Sequence, residues 1–142
     1  MTRDEAVEFF RVQQAAWRAR DAAALTEGHT EDGTIVSPIF RTVEGRREIL
    51  ESYESIFSTF PDWDYNGEEV VVDGDRIAQP FTVKATHSGE FMGLPGSGRH
   101  CDIEGVRLFR MSGGLIAYER RYYDFTGLLI QLGILRSKPA RP

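Results

Sequence analysis

The sequence predicts an α+β layer fold, with helices first and an antiparallel meander after them. Three observations carry this prediction. Apolar residues recur at helical spacing as far as Phe60, the period changes to two from about residue 64, and tight-turn glycines punctuate the second half.

Thr2 with Glu5 three residues on is a capping box, and Val7, Phe10, Gln14 and Trp17 follow at helical spacing. A first helix is expected over about 3–20. Asp21 can cap a short second helix through Ala22–Leu25, ending near Gly28. Gly33–Pro38 reads as a brief strand stopped by proline. A third helix starts near Gly45, aligns Ile49, Tyr53, Ile56, Phe57 and Phe60, and stops at Pro61. Asp64–Val72 is strand-like, and Asp73-Gly74-Asp75 is a hairpin signal. The return strand, Arg76–His87, aligns Ile77, Phe81, Val83 and Ala85.

The stretch Thr86–Gly98 is too long for a simple hairpin, and long loops between strands are more often functional than decorative. Arg99–Met111 and Leu115–Asp124 follow as strands about a Gly113-Gly114 turn, and Phe125–Leu135 forms a last apolar helix.

At 142 residues the chain is read as one domain, 1–142, with a basic tail over 136–142 expected to fray. The formal net charge of −5 argues against a nucleic-acid partner. The acidic N-terminus is not a secretory signal, and no apolar run approaches the ~20 residues that span a bilayer. The lone Cys101 implies neither a disulfide nor a metal site. It reads as a small strand side chain. A soluble, cytoplasmic protein acting on a small molecule is the expectation.

A two-residue Gly113-Gly114 turn would set Met111 opposite Ile116, Phe109 opposite Tyr118 and Arg107 opposite Arg120. Gly105 would then face Tyr122, and Ile103 would face Asp124. These residues would form a pocket wall, while Glu104, Val106, Leu108, Arg110, Glu119 and Arg121 turn outward. A slip of one residue would exchange the faces.

Asp124, among aromatics, is the candidate acid or base, because desolvation would raise its pKa. The same position also suits a helix N-cap. Arg120 could instead pair with it and lower the pKa. Arg107 and Arg120, if inward, need an anion or solvent between them. His87 could donate to a substrate carbonyl or tether the loop. Trp17 and Phe91 join Phe109, Tyr118 and Tyr122 as pocket candidates, and Phe91 with Met92 could form a lid. His29 and His100 read as surface residues.

Phe60-Pro61-Asp62-Trp63, the Thr86–Gly98 loop, Gly105–Arg110, and Tyr122-Tyr123-Asp124 through Gln131-Leu132-Gly133 occur in order. Together they resemble the SnoaL-like polyketide cyclase (ester cyclase) family of the nuclear-transport-factor-2-like superfamily. The resemblance implies a cone, in which a curved antiparallel sheet and N-terminal helices enclose an apolar pocket. It also implies homodimers or higher oligomers. It places at Asp124 the general acid/base of an intramolecular aldol closure on a polyketide-like carbonyl compound, with no metal or cofactor. Arg120 stands where many relatives carry an aromatic, and Gly96-Ser97 where Pro-Thr is usual. Ketosteroid-isomerase chemistry would want an acid before Pro38, where this chain has Ser37. Epoxide hydrolysis would want a second inward acid. A non-catalytic small-molecule-binding protein on the same cone is the remaining alternative.

Overall fold

The computed structural model describes residues 1–136 and 138–140. Helix α1 spans Arg3–Ala19 and begins on the expected capping box: Thr2 Oγ1 accepts the Glu5 N–H, and the Glu5 carboxylate accepts the Thr2 N–H. Helix α2, Ala22–Glu27, is capped by Asp21, which accepts the Ala24 N–H at 3.0 Å. Helix α3 covers Gly45–Thr59 and buries Ile49, Tyr53 and Ile56. A short α4, Phe125–Gln131, closes the described fold and ends earlier than the apolar run suggests. Of the tail expected to fray, Ser137, Arg141 and Pro142 lie outside the described residues.

The strands are β1 His29–Ser37, β2 Arg41–Glu44, β3 Asp64–Gly67, β4 Val71–Asp73, β5 Arg76–Thr86, β6 His100–Ser112 and β7 Leu115–Tyr123. They form one curved sheet in the order β2-β1-β7-β6-β5-β3, with β4 on the β5 edge. Most pairs are antiparallel as expected, but β1 runs parallel to β7. The long first strand and β2 enlarge what the sequence suggested around Gly33–Pro38.

The strand expected over Asp64–Val72 is broken in two, and Pro80 gives the reason. A strand residue turns its N–H and C=O to the same side, and the Pro80 carbonyl accepts the Glu68 N–H at 2.8 Å. Proline offers that edge no N–H, so the ladder lapses after Gly67 and resumes at Val71.

The most consequential difference is in β7. Gly113 and Gly114, at φ 58° and 80°, make the expected two-residue turn, and Met111 faces Ile116. The register then shifts at a β-bulge: Arg110 pairs with Tyr118, Phe109 with Glu119, Leu108 with Arg120 and Arg107 with Arg121. One extra residue, Ala117, reverses every side chain after it. Glu119, Arg121 and Tyr123 therefore share the inner face with Arg107. Tyr118, Arg120 and Tyr122, expected inside, lie on the outer one.

The inner face carries two buried clusters. One gathers Trp17, Tyr53, Phe60, Trp63, Tyr65 and Phe81 beneath α3 and the 86–98 loop. The other packs Ala6 and Phe10 of α1 against Phe109, Met111 and Ile116. A band of buried polar groups runs between them.

Candidate functional site

The band begins with Arg107, which is 1 % exposed. Its Nε and Nη2 donate to the two carboxylate oxygens of Glu119 at 2.9 and 3.0 Å, a bidentate pair. Nη1 donates to the Tyr65 hydroxyl at 3.0 Å, and that hydroxyl donates to Gln79 Oε1 at 2.7 Å. On the other side Arg121 Nε also donates to Glu119, and Arg121 Nη2 reaches the Tyr53 hydroxyl at 3.3 Å. His29 Nε2 stands 2.8 Å from the same hydroxyl. Guanidinium–ring contacts complete the support: Arg107 lies over Phe109, Tyr65 and Trp17 at 4.7–5.4 Å from the ring centres, and Arg121 lies over Tyr53 at 5.4 Å.

Electrostatics follow from this geometry. Burial alone would raise the Glu119 carboxyl, but the two guanidiniums overcome it and hold the group far below the usual carboxylate range. Glu119 is thus a fixed anion and a poor base. Burial pushes His29 down to about 4, Glu119 opposing and the arginines reinforcing the effect, so it is neutral at pH 7. Burial likewise raises Tyr53 to about 12 and raises Tyr65 and Tyr123, which keeps all three phenols protonated. Two guanidiniums against one carboxylate leave one net positive charge in the band.

A cavity opens above this charge. Its walls include Trp17, Trp63, Tyr65, Phe81 and Ile103 from the core, Ile39 and Phe40 from the β1–β2 turn, and Arg107, Arg121 and Tyr123 from the sheet. Trp17, Tyr65 and Phe81 form a nearly parallel stack along one side, with interplanar angles of 21° and 26°. The cavity volume is about 30 Å³, enough for a water or two. The indole N–H groups of Trp17 and Trp63 are buried without a partner. Arg121 Nη1 makes no hydrogen bond among the described residues. The lining thus presents spare donors and no free carboxylate or imidazole.

The sequence-predicted residues distribute as follows. Arg107 and Trp17 line the cavity. Phe109 is on the inner face but belongs to the second cluster, beneath Arg107. Tyr118 and Arg120 line a shallow outer groove, and Tyr122 is exposed at the outer surface, all three displaced by the bulge. His87 is buried inside its own loop, with Nδ1 2.9 Å from Ser97 Oγ, which fits a tether. Phe91 packs on Phe60 and His87 and borders a groove that adjoins the cavity. Asp124 is exposed and lies outside the cavity lining. Its carboxylate accepts the Gly127 N–H at 2.8 Å and caps α4, because β7 ends one residue earlier with Tyr123 facing in. His100 is exposed as read, whereas His29 is fully buried.

Glu119, Arg121 and Tyr123 were missed as site residues. One signal could have found them. Arg107 alternates with Ile103, Phe109 and Met111, so it had to be inward, and a buried arginine demands a carboxylate. Among the acids of β7, only Glu119 can supply it, and only if the register slips.

The SnoaL-like polyketide cyclase family model matches residues 7–132. This chain belongs to the SnoaL-like polyketide cyclase family. None of the curated proteins matches it. Among solved structures it is similar to AclR, a candidate hydroxylase from Streptomyces galilaeus, at 25 % identity and TM-score 0.82, covering 97 % of this chain and 91 % of that one. It is also similar to TsrD from Streptomyces laurentii, at 24 % identity and TM-score 0.83, covering 95 % and 99 %. IdmH, a candidate polyketide cyclase from Streptomyces antibioticus, shares 25 % identity and a TM-score of 0.74, covering 89 % and 97 %. A hypothetical protein with a ketosteroid-isomerase-like fold from Catenulispora acidiphila, at 21 % identity and TM-score 0.74, shares the fold, covering 90 % of this chain and 94 % of that one.

Proposed function

We propose that this SnoaL-like protein binds a small apolar carbonyl compound as its enolate and closes a ring within it by aldol-type addition. The observation that carries this reading is the cavity's one-sided chemistry: apolar walls, one net positive charge and spare N–H donors with no free acceptor of charge. A cation about 4 Å from a ligand oxygen favours the anion by roughly 4 kcal/mol at an effective dielectric near 20. A methine between two carbonyls is already acidic, so that field can select the ionised form from solution. The proton is lost to solvent, and no buried base is needed.

Ring closure then balances simply. The enolate carbon attacks a remote carbonyl carbon of the same molecule, one C–C bond forms, and the carbonyl π pair moves onto oxygen. That alkoxide takes the proton of the Tyr123 hydroxyl, which burial keeps neutral and which lines the cavity. Solvent returns a proton to the phenolate. The protein's contribution is positioning and a preorganised positive field.

The chain's two tryptophans, Trp17 and Trp63, both line the cavity, so intrinsic fluorescence reports its occupancy. A cyclic β-triketone, ionised at neutral pH, should quench it saturably, and a linear β-diketone bearing a remote aldehyde should be converted to its ring isomer. Failure of the triketone to bind overturns the reading. Binding without ring closure favours the second reading, a non-catalytic binding protein. The lack of a free carboxylate or imidazole in the lining is the observation in its favour.

We further infer that a second copy of this chain covers the outer sheet face. Val71, Leu108 and Tyr122 are exposed there, and Arg110 and Arg120 share the face with Asp73 and Glu104. A face carrying both signs around an apolar centre suits self-complementary pairing.

A further inference from the structure

The cavity, about 30 Å³, is too small for the molecule it is asked to hold, and a second space adjoins it. A groove of about 260 Å³ shares Ile39, Phe40 and Ile56 with it as walls. Beyond them the groove is bounded by Phe60, Phe91 and Met92. We propose that this groove is a second subsite, taking an aliphatic or alkenyl tail of the same molecule whose anionic head occupies the cavity. The proposal rests on the enolate reading above.

The outer wall of the groove is preformed. Ser88 and Gly89 donate their N–H groups to the Thr59 carbonyl at 3.0 and 2.9 Å, and Thr59 Oγ1 donates to the Glu90 carbonyl at 2.8 Å. Phe91 and Leu94 exchange both backbone hydrogen bonds at 2.9 Å, closing a tight turn. That turn holds Met92 in the left-handed region, at φ 52°, with 62 % of its surface exposed. A large apolar residue held both strained and exposed beside Ile39, Ile56 and Phe60 of the groove suits contact with a ligand. Methionine also adapts to chains of varied shape.

The inner partition is tied differently. Phe40 belongs to a short β1–β2 turn in which its N–H donates to Ser37 Oγ at 3.2 Å. Arg41, next to it, also has a positive φ, 59°. Phe40, with Ile39 and Ile56, separates groove from cavity, and a movement of these side chains would join the two. A ligand lying through that opening would place its charge near Arg121 and its tail under Met92. Six of the nine lining residues are apolar; Ser55, Thr59 and Glu90 supply the rest, and Glu90 is the one charged residue among them, so the tail should carry no negative charge.

The test uses cyclic β-triketones of identical head and increasing acyl chain, from acetyl to octanoyl, with affinity read by tryptophan quenching. Affinity for the wild-type chain should rise about three- to fourfold per methylene as the tail fills the groove. Met92→Asp should weaken the octanoyl compound at least tenfold and leave the acetyl compound unchanged. Aspartate enters the left-handed region readily, so the turn should persist. Leu94→Asp, on the same turn but outside the groove, should change neither. If the acetyl compound binds and chain length has no effect, or Met92→Asp weakens both compounds alike, the subsite is overturned and the enolate reading stands. If only long chains bind, with the slope lost in Met92→Asp, the subsite stands and the enolate reading fails. No binding by any member overturns both.

Discussion

Glu119 has no exposed surface, and its charge is held between Arg107 and Arg121. Glu119→Gln would leave two buried guanidiniums without a counter-charge, a change that costs about 3–5 kcal/mol where a buried pair is broken. Urea unfolding of the variant should show that loss; a loss below 1 kcal/mol would mean that the band relaxes or hydrates easily. His29 gives the interior a pH dependence. Its folded value of about 4 lies below the ordinary 6.5, so the unfolded chain binds the extra proton between those values. This contribution to stability is whole above pH 6.5, declines as pH falls towards 4, and levels off below. The window is worth about 3 kcal/mol. His29→Gln should flatten the slope of stability between pH 4 and 6.5 relative to the wild-type chain. An unchanged slope would show that His29 is already solvated.

Asp124 caps α4 through the Gly127 N–H, and asparagine serves an N-cap as well as aspartate. Asp124→Asn should therefore keep the fold, and under the proposed role of Tyr123 as proton donor it should keep any ring-closing turnover within about twofold. A fall of a hundredfold or more would assign proton transfer to Asp124 after all. The element scale is also where the sequence was most and least informative. The capping box at Thr2, the Asp21 cap, the change of period near residue 64 and the Gly113-Gly114 turn were legible because each is set by neighbours in sequence. The β-bulge at Ala117 was not. It is decided by the simultaneous burial of Ile116 and Glu119, and glutamate on a strand ordinarily signals solvent. That single residue moved Tyr118, Arg120 and Tyr122 out of the site and brought Glu119, Arg121 and Tyr123 in. The split between β3 and β4 was readable in principle from Pro80, but only once its partner edge was known.

For the whole molecule, the two faces of the curved sheet differ. The inner face surrounds the Arg107–Glu119–Arg121 band, and the outer face leaves Leu108 and Tyr122 exposed, where the proposed second copy would sit. Sedimentation should find a dimer that Leu108→Glu with Tyr122→Glu converts to a folded monomer; a monomeric wild-type chain would remove that inference. The central claim is that net positive charge in the cavity selects an anion. The most direct measurement compares a cyclic β-triketone enolate with its neutral O-methyl ether, bound to the wild-type chain and to Arg121→Gln, by tryptophan quenching. Arg121→Gln leaves the neutral Arg107–Glu119 pair in place and removes the spare charge. The enolate should bind the wild-type chain at least tenfold more tightly than the ether, and the variant should lose that preference while still binding the ether. Equal binding of the two ligands to the wild-type chain, or a preference that survives in Arg121→Gln, would contradict the claim.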